Sequence, residues 1–164
     1  MFDISDLPQQ ELKNLAAQAI SRIENPEEGI GNDLFEAIIA VAPQAAVELV
    51  VVDNTDGPTR ILLIWRDDEH YLGWHFPGGY PRFGQDLDTA VRAVAERELE
   101  AEIRRLERRP KGDYSRVDSR GHTFGLVFLV ELDGDPTGGE WFDHVPEDLL
   151  PHHKELLRKV LGWE

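Results

Sequence analysis

Two adjacent glycines followed by a long stretch without glycine or proline constrain this chain more than any other feature. Gly78 and Gly79 end the segment GWHFPGG, and residues 86–108 contain neither Gly nor Pro. That stretch is rich in Ala, Glu, Arg and Leu, which predicts one long helix beginning after Asp86 as its N-cap and ending near Arg108. A glycine turn beside a carboxylate-rich helix can hold a divalent metal against a diphosphate, because hard oxygen ligands converge from two segments.

Helical geometry places one carboxylate at the end of an apolar stripe. At roughly 100° per residue, Leu87, Val91 and Val94 project in nearly one direction. Glu98 continues the same line, and Glu102 lies about one turn further along. The alternative is that the stripe simply reaches solvent there and leaves both acids on the surface. The glycine turn upstream favours a site for Mg²⁺ or Mn²⁺ instead.

Composition narrows the classes of protein to consider. The chain has 164 residues, a formal net charge of −15 and no cysteine. Such acidity argues against a nucleic-acid partner, and the lack of cysteine excludes disulfides, thiolate metal sites and cysteine nucleophiles. The first ten residues carry acids where a signal peptide needs bases, and no apolar run approaches membrane-spanning length. We therefore expect a cytoplasmic protein of one main domain, without a membrane partner.

Hydrophobic periodicity and turn residues predict a mixture of helices and strands. Besides the long helix, helices are expected at residues 7–23, 34–42 and 152–161. Strands are expected at residues 46–52, 61–65, 123–132 and 140–142. The turn formers between the first two strands predict that these pair as a hairpin.

The glycines and the long helix together resemble the Nudix box, G(x5)E(x7)REUXEEXGU, in which U is apolar. Counted from Gly79 without a gap, Glu98 falls on the second of the paired acids and Glu100 on the closing glycine. The box is degenerate, because an arginine and two acids are replaced by Ala93, Val94 and Arg97. A second register, with a longer loop after the glycines, reads residues 97–99 as the REU element and Glu102 as the later acid. Both registers keep Glu98 as a ligand, and we prefer the ungapped one.

The similarity covers about residues 34–163 and is closest in form to the GDP-mannose mannosyl hydrolase branch of the Nudix superfamily. As in that branch, a short helix and Pro43 precede the first predicted strand, and the second strand ends in an arginine, Arg66. The resemblance implies an α/β (α+β) Nudix fold, with a mixed β-sheet sandwiched between helices. We expect residues 34–164 to form this domain. Residues 1–33 are expected to form an extra N-terminal helical extension that packs in a homodimer or covers the sheet.

The resemblance implies Mg²⁺-dependent hydrolysis of a nucleoside diphosphate linked to another moiety, most simply a nucleotide-sugar. The carbonyl of Gly78 and the carboxylate of Glu98 would be the inherited metal ligands, with a smaller contribution from Glu102. The chain departs from the branch because the loop at residues 133–139 contains no histidine to act as general base. His122, at the start of a predicted strand, is the candidate replacement, and Glu98 is the other predicted catalytic residue.

Four further residues are predicted to bind substrate. Arg66 and Arg82 can bind phosphate oxygens, since a guanidinium matches their geometry, and Tyr80 can stack on a base or sugar. Arg97 stands where the box has an acid, so it weakens a metal site but can itself hold phosphate. The lost acids keep a second hypothesis open: a catalytically degenerate Nudix-fold module that binds a nucleotide or a protein partner.

Overall fold

The computed structural model describes residues 4–163 and contains four helices and eight strands in that range. The helices are α1 (Gln9–Ile20), α2 (Asn32–Ile39), α3 (Leu87–Leu99) and α4 (Pro151–Leu161), with one 3₁₀ turn at Pro26–Glu28. The strands are β1 (Gln44–Val52), β2 (Ile61–Asp67), β3 (Leu72–His75), β4 (Gly78–Gly79), β5 (Glu102–Leu106), β6 (Gly112–Val117), β7 (His122–Asp133) and β8 (Glu140–Phe142). The expected α+β architecture is confirmed.

Strand β1 lies at the centre of a mixed sheet. It runs parallel to β7 over eight residue pairs, from Gln44 opposite Thr123 to Val51 opposite Val130. It also pairs antiparallel with β2, which confirms the predicted hairpin. The strand order is β3-β2-β1-β7-β5, with β4 added to β1, β6 to β7 and β8 to β2.

Helices cover both faces of this sheet. Successive residues of a strand point to opposite faces, so the apolar run of β1 supplies two cores. Leu49 and Val51 pack in one buried core with Val91 of α3. Val50 packs in the other with Leu157 of α4. The predicted sandwich of a mixed sheet between helices is therefore confirmed.

Helix α3 begins where the sequence predicts and ends much earlier. The Asp86 side chain accepts a hydrogen bond from the backbone N–H of Thr89 at 2.8 Å, as expected of an N-cap. The helix stops at Leu99 because Glu100 adopts a left-handed backbone conformation, with φ 50°. The next residues form β5, which pairs antiparallel with β7. Composition favours helix here, but pairing with a long buried strand decides the outcome.

Besides β5 and the two-residue β4 at the glycines, two more strands were not predicted from sequence. β3 pairs with β2 directly before the Gly78–Gly79 segment. β6 pairs with β7 along its whole length, and its residues alternate between exposed and partly buried. Both strands are short or polar, so the alternation signal in the sequence is weak.

The N-terminal helix is shorter than predicted and lies on the surface. Helix α1 spans Gln9–Ile20, and none of its residues is buried. Across residues 4–163, no helix has the length and apolar content needed to cross a membrane.

Candidate functional site

A fork in the sheet opens a large cleft beside the two glycines. The end of β1, at Val51 and Val52, pairs with β2. Its earlier residues Val47 and Glu48 pair instead with β4. Strand β2 continues beyond the fork paired to β3, so the two arms separate. The space between them has a volume of about 1350 Å³ and is lined from α2, β1 to β4, the end of α3, β6 and the start of α4.

Each of the two glycines lies against a charged group. A β-carbon on Gly78 would overlap with the carboxylate of Glu48. A β-carbon on Gly79 would lie 2.6 Å from Nη2 of Arg97 and 3.4 Å from a methyl group of Val94. The glycine pair thus allows β4 to pass between an acid of β1 and a cation of α3.

Arg97 links the two predicted metal ligands. Its Nε donates to Oε1 of Glu98 at 2.8 Å, and its Nη2 donates to the carbonyl oxygen of Gly78 at 3.0 Å. Gly78 and Glu98 therefore converge as expected, but with a guanidinium between them. The side chains of Arg97 and Glu98 are 52% and 26% exposed, so this cluster opens to the cleft.

The floor of the cleft holds a carboxylate that the sequence analysis missed. Glu48 accepts a hydrogen bond from the hydroxyl of Tyr114 at 2.8 Å, and its side chain is only 13% exposed. Burial raises the pKa of Glu48 from 4.5 to about 7 against the opposing effect of that hydrogen bond, and the charge of Glu98 raises it further. The sequence contains one signal that could have identified Glu48: it is the one charged residue within the otherwise uncharged strand β1.

Three histidines lie at the base of the cleft and are uncharged at neutral pH. The backbone N–H of Phe76 donates to Nδ1 of His153 at 3.0 Å, so the proton of this ring is on Nε2. That Nε2 is buried without a hydrogen-bond partner in the described chain, 3.9 Å from a carboxylate oxygen of Glu48. Burial lowers the pKa of His75, of His152 to about 4, and of His153. Positive charge in this cleft therefore comes from arginine.

Five arginines among the described residues line the cleft, although the chain as a whole is strongly acidic: Arg66, Arg82, Arg97, Arg116 and Arg120. Arg66 forms an ion pair with Asp68 and places its guanidinium 4.8 Å from the centre of the Tyr71 ring. Arg116 donates to the Tyr71 hydroxyl at 2.9 Å. These contacts fix two guanidinium groups on one wall.

Two aromatic rings form another part of the lining. The rings of Tyr80 and Phe35 lie 4.7 Å apart. The guanidinium of Arg120 lies 5.6 Å from the Tyr80 ring and is held by Glu36 at 2.8 Å. The two rings are tilted by 56° to each other, so this wall offers aromatic ring surface with a fixed positive charge over the Tyr80 ring.

Most of the sequence-predicted site residues line this cleft: Gly78, Glu98, Arg66, Tyr80, Arg82 and Arg97. Glu102 does not, because α3 ends at Leu99 and Glu102 is an exposed residue of β5, paired with Asp133. Its predicted position one turn beyond Glu98 on the same helix is therefore wrong.

His122 also lies outside the cleft. Nε2 of His122 forms a hydrogen bond with Oγ of Ser115, at a distance of 3.0 Å. His122 lines a separate depression of about 350 Å³ beside residues 39–43. The reason is strand alternation: Thr123 is buried with its hydroxyl 3.3 Å from that of Tyr80, so the preceding residue faces the other way.

The oxygen atoms at the glycine turn fit one divalent ion shared with a substrate. Within residues 4–163, no group of three or more His, Asp or Glu side chains is arranged to hold a metal. Glu98 and the Gly78 carbonyl supply two hard oxygen ligands. Mg²⁺ commonly binds through one or two carboxylates together with substrate phosphates, so these ligands suit a site completed by a diphosphate.

The end of α3 identifies the register of the box. Glu100 has φ 50° and ψ 36°, a left-handed conformation that glycine adopts at little cost. In the ungapped count, Glu100 occupies the position of the closing glycine. The gapped count requires Glu102 on the helix, where it is not.

Comparisons with known proteins agree with this geometry. A family model described as NUDIX domain matches residues 42–161. The low-salt glycan biosynthesis protein Agl8 of Haloferax volcanii is 31% identical over 124 residues, which cover 70% of this chain and 76% of Agl8.

Solved structures give the same result. A MutT NUDIX hydrolase from Burkholderia pseudomallei superposes with a TM-score of 0.61 at 25% identity, covering 73% of this chain and 98% of that one. A protein of Jonesia denitrificans, described as a possible asymmetric diadenosine tetraphosphate hydrolase, superposes with a TM-score of 0.65 at 16% identity. That match covers 75% of this chain and 95% of the other, and at this identity it shows the fold alone.

Proposed function

This chain belongs to the Nudix family, whose members act on nucleoside diphosphate derivatives, and on that premise we propose that it hydrolyses a nucleoside diphosphate linked to another moiety, most simply a nucleotide-sugar. The observation that carries the proposal is the convergence of Gly78, Glu98 and Arg97 at the glycine turn, inside a cleft lined by further arginines. A carboxylate and a carbonyl can orient a diphosphate through a shared metal ion, and a guanidinium can bind it directly.

The arginines of the cleft support an anionic substrate. Arg66, Arg82 and Arg116 line the cleft with Arg97, while the buried histidines are neutral. A guanidinium binds phosphate oxygens through paired N–H groups and stays charged at every physiological pH. Acidic residues line the cleft as well, and Arg66 and Arg120 are held by Asp68 and Glu36, so the arginines mark local positions for phosphate within a cleft of mixed charge.

The size and lining of the cleft support a substrate with two bulky ends. Its volume of about 1350 Å³ exceeds the roughly 300–1,000 Å³ of common small-molecule pockets. The Tyr80 and Phe35 rings offer a stacking surface for a nucleobase. The similarity to a glycan biosynthesis protein supports a sugar as the second end.

In the proposed reaction, water attacks the nucleotide-linked substrate at a phosphorus or at the sugar carbon, the bond from that atom to a bridging phosphate oxygen breaks, and that oxygen leaves with the electron pair. Glu98 and the Gly78 carbonyl would hold Mg²⁺ or Mn²⁺. The bound ion would neutralise charge on the phosphate oxygens. The arginines orient the diphosphate and stabilise the same charge. Glu48, which lies against Gly78, is the carboxylate best placed to accept the proton of the attacking water, since His122 lies outside the cleft.

A screen for turnover tests this function. The protein is incubated with nucleotide-sugars and dinucleotides, with and without Mg²⁺, while product release and thermal stabilisation are recorded in parallel. We expect Mg²⁺-dependent product release from at least one nucleotide-sugar. Turnover of dinucleotides alone would exclude the nucleotide-sugar assignment and keep the hydrolase.

A second function is favoured by one observation. Arg97 already binds both predicted metal ligands, and residues 4–163 contain no protein cage for a metal. A module that binds nucleoside diphosphates without hydrolysing them would have this arrangement. Thermal stabilisation by a nucleotide-sugar with no product under any metal condition would establish this second function over the first.

A further inference from the structure

Arg97 occupies a position with two unusual properties. It bonds to the two oxygen ligands predicted for a metal, and it stands where the Nudix box has an acid. Replacing an acid by arginine raises the local charge by two units, the charge of one divalent ion. We propose that the Arg97 guanidinium replaces a divalent cation in this cleft, an inference that rests on the proposed function. Arg97 binds diphosphate directly without metal, and it competes with metal for Glu98 and Gly78.

The guanidinium has donors to spare for a phosphate. Arginine carries five N–H groups, and one from Nε and one from Nη2 bond to Glu98 and Gly78. In the hydrogen bonds of the described chain, the remaining N–H groups of Arg97 have no protein acceptor. Because the side chain is 52% exposed on the cleft side, these donors can reach a bound diphosphate.

The backbone around Arg97 is shaped to receive a cation. Arg97 is the basic residue of the last turn of α3, where the helix dipole favours positive charge. On the other side, Gly79 leaves room for Nη2, since a β-carbon there would lie 2.6 Å away. An alanine at this position would push the guanidinium off the Gly78 carbonyl.

Competition follows from the same contacts. A metal that binds Glu98 and the Gly78 carbonyl must displace both hydrogen bonds of Arg97. The ion pair is half exposed, and exposed pairs contribute little, so metal can still bind but with reduced affinity. Removing the guanidinium should strengthen metal binding while it weakens metal-free nucleotide binding. A merely structural role for Arg97 would not move the two affinities in opposite directions.

Calorimetry on the full chain tests both parts of the proposal, the metal-free binding of diphosphate and the competition with metal. GDP and ADP are titrated into the protein in EDTA and in Mg²⁺, and Mn²⁺ is titrated alone. We compare the parent with Arg97→Ala, Arg97→Glu and Gly79→Ala. Arg92→Ala is the matched control, because Arg92 lies on the same helix, pairs with Asp88 and does not line the cleft. Thermal unfolding of each variant verifies that it is folded.

We expect the parent to bind nucleoside diphosphate in EDTA. Arg97→Ala and Gly79→Ala should lose about tenfold or more of this affinity, and Arg97→Glu should lose more, because each removes or displaces a charge-assisted phosphate contact. Arg97→Glu should gain about tenfold in Mn²⁺ affinity, since it adds a ligand and removes the competitor. Arg92→Ala should match the parent in both titrations.

The outcomes separate this inference from the function on which it rests. Nucleotide binding that requires Mg²⁺ in the parent, or unchanged Mn²⁺ affinity in a folded Arg97→Glu, overturns the role of Arg97 and leaves the hydrolase intact. A parent that binds no nucleoside diphosphate in either condition overturns both. Loss of metal-free binding together with gain of Mn²⁺ affinity supports the inference.

Discussion

The carboxylate of Glu48 lies so close to the Cα atom of Gly78 that no β-carbon fits between them. The two residues face each other in the short antiparallel pairing of β1 with β4. The Gly78 backbone contacts one oxygen of the carboxylate and Tyr114 donates a hydrogen bond to the other, so the side chain is only 13% exposed, towards the cleft. Ionisation of Glu48 is therefore costly in the folded protein, and the pKa of Glu48 rises to about 7.

The first prediction is that Glu48 makes the protein less stable as the pH rises. In the folded protein the pKa is about 7, whereas the ordinary value is 4.5, so the folded state holds the proton more tightly. The resulting stabilisation is complete below pH 4.5 and is lost as the pH rises to 7. By linkage the loss amounts to at most about 3 kcal/mol.

Glu48→Gln isolates this effect, because glutamine mimics the protonated acid. Without metal, the two proteins should have similar free energies of unfolding near pH 5, and the variant should be more stable near pH 8. The effect of Glu48 is the difference between the unfolding free energies of parent and variant at each pH. The profile of the parent alone also contains an opposite contribution from His152: its pKa is lowered to about 4, so it makes the folded protein less stable as the pH falls below 6.5. Exposed Glu102→Gln serves as the control. Equal pH profiles for parent and Glu48→Gln would contradict the prediction.

The second prediction concerns the end of α3. Glu100 is a non-glycine residue in the left-handed conformation, which costs on the order of 1 kcal/mol. Glu100→Gly should relieve this strain and raise the melting temperature by about 2–4 °C, as measured by thermal unfolding. Glu96→Gly, four residues earlier on the exposed face of the same helix, should lower it by a similar amount. A destabilised Glu100→Gly would show that the Glu100 side chain contributes a contact worth more than the strain.

The sequence predicted those features of the fold that depend on local pattern. The apolar runs of β1, β2 and β7 are long and bounded by turn residues, so their positions and the β1–β2 hairpin were predictable. The N-cap at Asp86 has a local mechanism and was also correct. The end of α3 was not predictable, because residues 100–108 have helical composition and only their pairing with β7 makes part of them a strand.

The candidate site was predicted where it depends on the glycine turn and missed where it depends on packing. Glu98 was predicted from spacing along the helix and Gly78 from the glycine turn, and both lie in the cleft, bonded to Arg97. Glu48 was missed because its importance comes from burial by β4 and Tyr114, which are distant in sequence. His122 was misplaced relative to the cleft because the side of a strand that a residue faces depends on register, which is set by β1 and β6.

The third prediction is that Glu98 and Glu102 differ in metal binding. Glu98 and the Gly78 carbonyl both accept a hydrogen bond from Arg97 in the cleft, whereas Glu102 is exposed on β5 outside it. In calorimetry with Mn²⁺, Glu98→Gln should lose most of the affinity and Glu102→Gln should keep it. Equal losses in the two variants would contradict the position of Glu102 outside the cleft, and no loss in either would place the metal elsewhere.

The last prediction separates two candidates for the general base. Glu48 lines the cleft against Gly78, while His122 lines a different depression and faces away from Tyr80. For a nucleotide-sugar that the protein hydrolyses, His122→Ala should therefore change kcat by less than about twofold. Glu48→Gln should lower kcat by roughly 10²-fold or more with a smaller change in KM, because glutamine cannot accept the proton of the attacking water. His144→Ala, at an exposed site, controls for the loss of an imidazole.

The opposite pattern, a large loss in His122→Ala with Glu48→Gln active, would mean that β7 moves on substrate binding and brings His122 to the cleft. The pH dependence of kcat between pH 5 and 8 is a second criterion for identifying the base. A base with a pKa near 7 makes the rate of the parent rise across this range. The variant that lacks the base should have a rate that does not change with pH.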